Sequence, residues 1–139
     1  MANRESKVGR GKPRPTHYDL EVWQDAMRLA SDVYRASRKF PAEERFALGR
    51  EIWRSAISVP SNVAEGAARG SKTEFVRFLH IARGSLLELD SQLWLAFDLK
   101  FIGDRKPLQR RIEALLAKLN ALITAERRRA SLRAATIRD

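Results

Sequence analysis

Residues 71–99 read SKTEFVRFLHIARGSLLELDSQLWLAFDL, and this stretch decides the fold class. Phe75, Phe78, Leu79, Ala82, Leu86, Leu89, Leu93 and Ala96 recur at the spacing that gathers one face of an α-helix. Ser71-Lys72-Thr73-Glu74 supplies the start signal of a capping box: the serine accepts a backbone N–H and the glutamate reaches back. The pattern predicts a helix from about Lys72 to Leu99.

Working outward, a turn at Gly103-Asp104 leads to a further helix starting near Pro107. Leu108, Ile112, Leu115, Leu116, Leu119, Leu122 and Ile123 form its stripe. Arg127 to Arg129 end that stripe and complement a helix C-terminus. Upstream, Gly66 and Gly70 bracket a turn. Before it, Phe46, Gly49, Ile52, Trp53, Ala56, Val63 and Ala64 stand at helical spacing, with Pro60 interrupting. A proline there removes one donor and crowds the Ala56 carbonyl, so a kink is expected. Pro41 separates this helix from an earlier one, capped by Asp19 and running to about Phe40, with Trp23, Ala26, Met27, Ala30 and Tyr34 as its buried stripe. Four long helices with short connections and no strand signal predict an all-α fold, an antiparallel up-down-up-down four-helix bundle. The bundle is expected over residues 18–130. Flexible basic termini flank it: a disordered arm at 1–17 and a basic tail at 131–139.

Basic charge gathers at those ends. The net charge is +10, of which residues 1–16 supply +4 and residues 126–139 supply +3. Such ends attract polyanions without reading sequence, or act only as solvated, solubilising tails. No apolar run approaches the length of about 18 residues that a membrane span needs, and no apolar stretch follows the basic N-terminal residues as in a secretory signal. A cytoplasmic location without membrane partners is expected. The chain has no cysteine, which removes disulfides, thiolate ligands and a cysteine nucleophile together.

Sequence signals for catalysis are weak. The two histidines, His17 and His80, fall in no paired-ligand spacing. No Glu-x-x-His pairs suggest a di-iron bundle, and Gly66-Ala-Ala-Arg-Gly70 lacks the lysine and hydroxyl of a phosphate loop. No catalytic residue, metal or cofactor is expected, and the protein is read as a binder rather than an enzyme. The segment that stands out is Pro60-Ser61-Asn62-Val63-Ala64-Glu65-Gly66, with Gly84, Ser85 and Glu88 later. Asn62, Glu65, Arg69, Ser85 and Glu88 admit a polar site between two helices. The stronger reading is framework, in which polar groups satisfy the carbonyl freed by Pro60 and Gly84 allows close helix approach.

Two helices carry more apolar residues than one monomeric core needs. Leu87, Trp94 and Phe101 lie beside the main stripe of their helix, and Val22, Leu29 and Val33 beside that of the first. These six are the expected interface with further copies of the chain.

The run Ser58-Val59-Pro60-Ser61-Asn62-Val63-Ala64-Glu65-Gly66 and the later Phe75-x-x-Phe78-Leu79-x-Ile81-Ala82-x-Gly84-Ser85-x-x-Glu88-Leu89 resemble the 23S rRNA intervening-sequence type of four-helix bundle proteins, sometimes labelled S23 ribosomal proteins. Tyr18-Asp19-Leu20-x-Val22-Trp23 is similar to that family's usual opening. The likeness spans about residues 18–125 and neither terminal arm. It implies a bacterial, cytosolic bundle assembling into a ring, typically a homopentamer, with no catalytic residues to carry over. A related branch is the accessory variability determinant of diversity-generating retroelements. Its resemblance implies a basic surface that meets nucleic acid and a reverse transcriptase.

Together these readings predict a homo-oligomer that binds nucleic acid, RNA in preference to DNA, through phosphate contacts. The expected contacts are Arg127, Arg128, Arg129 and Arg133, backed by Lys7, Arg10, Lys12 and Arg14. Neither tail interleaves aromatic residues with its charges, so base stacking there is not expected. The alternative is a scaffold ring that recruits a protein partner, with charge serving solubility.

Overall fold

A computed structural model describes residues 16–138 of the protein, with side chains through Ile137. After a 3-10 turn at Thr16–Asp19 come α1 (Glu21–Ser37), a single turn α2 (Ala42–Arg45), α3 (Leu48–Ala68), α4 (Lys72–Asp98) and α5 (Lys106–Arg138). The described residues contain no strand. The long helices form a four-helix bundle in the cyclic order α1, α3, α4, α5.

Side-chain contacts give the directions. Ser58 of α3 meets Ser85 of α4, while Gly66 further along α3 meets Phe75 and Phe78 near the start of α4. Asp25 and Asp32 of α1 reach Lys118 and Arg111 of α5 in reversed order. These pairs therefore run antiparallel. Ile52, Val59 and Val63 of α3 share one core with Val33, Leu79, Leu86, Leu89, Leu115, Leu119 and Ile123. Burying each such side chain contributes about 1.5–3 kcal/mol.

The ends of α4 show how local sequence sets the boundaries. Ser71 Oγ accepts the Glu74 N–H at 3.3 Å, as a helix cap should. The Glu74 carboxylate does not reach back, however; it accepts from Arg77 Nε at 2.9 Å, so only half of the expected capping box forms. Gly70, at φ +73°, makes the left-handed turn between α3 and α4. At the other end Lys100 takes φ +64°, the Phe101 N–H bonds the Ala96 carbonyl, and the Lys100 N–H bonds that of Phe97. This is a Schellman closure with lysine where glycine is usual.

Several expectations are corrected. The residue preceding α1 is Leu20 rather than Asp19, which lies in the 3-10 turn. Pro60 does not interrupt α3: the helix runs through it, with the proline buried. Of the stripe assigned to the first helix, only Ala26 and Ala30 are buried in the core. Val22, Leu29 and Val33, expected at an interface, are buried in the monomer's core with Ala26 and Ala30. Met27 and Tyr34 are instead 44% and 42% exposed, and Trp23 is half-buried. Phe46 likewise leaves the core and is 75% exposed. The rotation of α1 follows from charge as well as shape. Glu21, Asp25 and Asp32 turn toward Lys118 and Arg111 of α5, which swings Trp23, Met27 and Tyr34 away from that seam.

The described part of the C-terminal tail, residues 131–138, continues α5. Ala130, Leu132, Arg133, Ala134 and Ala135 are strong helix formers, and no glycine or proline ends the run. The arm at 1–17 lies outside the described residues except at its end, where the His17 ring packs on Tyr18 and Trp23.

Candidate nucleic-acid interface

The outer part of α5 is a solvated cationic helix. Every residue from Arg127 to Ile137 is exposed except the partly buried Ala130. The four arginines expected to act together divide by environment. Arg129 is committed to Glu126, whose side chain is buried and also lies 3.2 Å from Lys72 Nζ through Oε2, without hydrogen-bond alignment. Arg128 and Arg133 have no carboxylate partner among the described residues. Arg127 reaches back to α4, where its Nη2 stands 2.7 Å from His80 Nε2. Lys7, Arg10, Lys12 and Arg14 lie outside the described residues.

A second guanidinium meets the same ring. Arg83 Nη2 stands 2.9 Å from His80 Nδ1, and its Nη1 donates to Asn120 Oδ1 of α5 at 2.9 Å. The imidazole pKa is lowered from the ordinary 6.5 by its burial, then by the charges of Arg83 and Arg127. His80, Arg83 and Asn120 were not among the residues chosen from the sequence. The legible signal was that His80 and Arg83 stand three apart on one helix face; their partners lie 40 or so residues downstream, on α5.

An open pocket of about 490 Å³ is lined in part by Gly66, Ser71, Lys72, Glu126, Arg129 and Arg133. It offers two arginines and a lysine around one buried carboxylate.

The polar motif residues do not converge on one site. Ser58 Oγ and Ser85 Oγ share a hydrogen bond of 2.8 Å, and Asn62 Nδ2 donates to the Ser58 carbonyl and hydroxyl at 2.8 and 3.0 Å. This network ties α3 to α4 one turn from buried Pro60. Glu65 pairs with Arg69 on the surface, while Ser61 and Glu88 face solvent. The close-approach glycine is Gly66, where an added Cβ would stand 2.6 Å from Phe78 Cβ. Gly84, expected to fill that role, is open to solvent: a Cβ there would meet nothing within 4 Å.

Two apolar surfaces remain outside the core. One is the groove between α1 and α3, where Trp23, Met27, Trp53 and Ile57 line a cavity of about 440 Å³. The other is the outer face of α4, with Ile81, Leu87, Trp94 and Leu95 exposed. The Arg105 guanidinium lies 3.9 Å from the centre of the Trp94 ring. Phe101, expected beside Leu87 and Trp94, instead packs on Phe40 at 5.6 Å between ring centres, drawn inward by the Schellman closure.

Among the described residues no group of three or more acidic or histidine side chains is placed to hold a metal ion, and no helix is long and apolar enough to cross a membrane. The chain matches the family model for the 23S rRNA-intervening sequence protein over residues 18–124. Its fold is similar to a Bacteroides thetaiotaomicron protein of unknown function from the S23 ribosomal protein family. The TM-score is 0.69 at 20% identity, covering 74% of this chain and 95% of that one. No curated protein matches it.

Proposed function

The chain belongs to the 23S rRNA-intervening sequence protein family, and from that premise we propose that it is a cytoplasmic, non-catalytic nucleic-acid-binding protein that works as a ring of identical subunits, five in number. The observation that carries the binding reading is the exposed end of α5, where Arg127, Arg128 and Arg133 have no carboxylate partner among the described residues. Unpaired guanidiniums on a solvated helix suit phosphate oxygens, which they recognise by charge and by paired N–H donors. Phosphate contacts carry no sequence information of their own, so binding through them is expected to depend on salt far more than on sequence. RNA is the preferred partner, in keeping with the family's setting.

Assembly is supported by the two apolar surfaces. A two-fold dimer buries the same patch on both subunits, whereas a ring joins two different patches head to tail. The α1/α3 groove and the outer face of α4 form such a pair. Linking several weak phosphate sites in one ring then raises avidity without any new contact.

The second reading, a scaffold ring for a protein partner, is favoured by Phe46, which stands 75% exposed where α2 meets α3. One preparation separates the two. A nucleic-acid binder purifies with excess absorbance at 260 nm that nuclease removes. A scaffold gives no such excess and retains a defined protein from nuclease-treated lysate. Sedimentation of the nuclease-treated chain tests the ring, since a monomer contradicts it.

A further inference from the structure

His80 has a hydrogen-bonding problem that the protein alone does not solve. A neutral imidazole carries one N–H and one acceptor lone pair; a protonated one carries two N–H groups and no acceptor. Both ring nitrogens face guanidinium nitrogens, Nδ1 that of Arg83 at 2.9 Å and Nε2 that of Arg127 at 2.7 Å. In the neutral ring one arginine can donate to the lone pair, and the other meets an N–H. In the protonated ring both contacts set donor against donor. Either way an acceptor is missing from the seam.

The surrounding acids do not supply it. Glu74, on the preceding turns of α4, is held by Arg77. Glu126, adjacent to Arg127, is buried against Lys72 and Arg129. Neither Arg83 nor Arg127 has a salt bridge among the described residues, and the remaining partner in the cluster is the neutral Asn120, which holds Arg83 from α5. The charged groups that act on the ring are therefore Arg83 from α4 and Arg127 from α5.

We infer that His80, Arg83 and Arg127 form a phosphodiester-binding site at the α4/α5 seam, in which a phosphate oxygen supplies the missing acceptor. This rests on the nucleic-acid reading above and places one of its backbone contacts. The phosphate accepts from the imidazole N–H and from the arginine beside it, while the other arginine donates to the remaining ring nitrogen. Asn120 fixes the Arg83 guanidinium and leaves its second amino group toward the ring. Because the anion offsets two positive neighbours, binding shifts the His80 titration upward from its lowered position.

The chain has only two histidines, so ¹³Cε1-labelled histidine reports on the site in the full-length protein. The probe is a short mixed-sequence single-stranded RNA, with inorganic phosphate as the second arm, each across a pH series. The expected result is that RNA moves the His80 resonance and raises its midpoint by about one pH unit. Arg83→Gln and Arg127→Gln should each abolish that response and lower the slope of log K against log salt by about one. Arg110→Gln, the same charge change near the other end of α5, should leave the His80 response intact. Both site arginines are surface side chains, and unchanged thermal midpoints confirm that the variants fold. RNA that binds with its full salt dependence while His80 stays unmoved overturns this site and leaves the nucleic-acid reading standing. Inorganic phosphate that moves His80 in a protein that does not bind RNA overturns both, leaving a site for small anions.

Discussion

Helix α4 is held along two seams that solve their polar chemistry in opposite ways. Toward α3 the backbones come close at Gly66, and Ser58, Asn62 and Ser85 satisfy one another by hydrogen bonds of 2.8 to 3.0 Å. Toward α5, on the same helix, His80 is caught between two guanidiniums with too few acceptors. A closed polar network fixes a helix crossing and leaves nothing over for a ligand. An open one leaves donors that solvent or an anion must satisfy. The contrast teaches that the conspicuous motif residues Ser58, Asn62 and Ser85 close a network between helices, while the donors left over sit on His80 and Arg83, which carry little sequence signature.

The largest expected effect breaks the closed seam. Gly66→Ala places a methyl group 2.6 Å from Phe78 Cβ, an atom that cannot move without its backbone. The expected loss is about 3 kcal/mol, read from urea unfolding midpoints. A midpoint like that of the parent protein would show that α3 and α4 do not approach so closely. Gly84→Ala sharpens the point from the outer face of the same helix. Its new Cβ meets nothing in the monomer, so a gain of about 1 kcal/mol is expected from helix propensity alone. A loss instead, accompanied by dissociation on sedimentation, would place Gly84 against another subunit.

Much of this fold is legible in the sequence, and the failures have physical causes. The α4 stripe reads correctly because Ser71 marks its start and every buried position from Phe75 to Ala96 except Ser85 is apolar. The α1 face misreads because two stripes share Ala26 and Ala30. The choice between them is made with Lys118 and Arg111, whose approach to Glu21, Asp25 and Asp32 only the folded chain defines. Gly84 was preferred over Gly66 because a mid-helix glycine is conspicuous, whereas close approach depends on the neighbouring helix. For the proposed interface, Arg127, Arg128 and Arg133 are visible as a charge run. Arg129 belongs to the same run but is taken by Glu126, and Arg83 is visible only once α5 lies beside α4.

Smaller effects probe the ends of the comparison. Removing the hydroxyl in Ser85→Ala leaves Ser58 its bond from Asn62, so the cost should be about 1 kcal/mol in the same unfolding assay. Lys100→Gly relieves a left-handed lysine and should gain up to about 1 kcal/mol. At the open seam the signature is pH. The His80 pKa lies below 6.5 in the folded protein, so just below that pH the unfolded chain binds more protons. Stability should therefore fall as pH is lowered through that window and level off below the folded value. Thermal midpoints of His80→Gln should lose that part of the slope.

The most direct test of the central claim is RNA affinity across a salt series, comparing the full-length protein with Arg127→Gln/Arg128→Gln/Arg133→Gln. The account predicts a steep linear fall of log K with log salt, flattened by about three in the triple variant, with similar losses for unrelated RNA sequences. Binding whose strength and salt slope are the same in both proteins would contradict it and return the charge of α5 to a role in solubility.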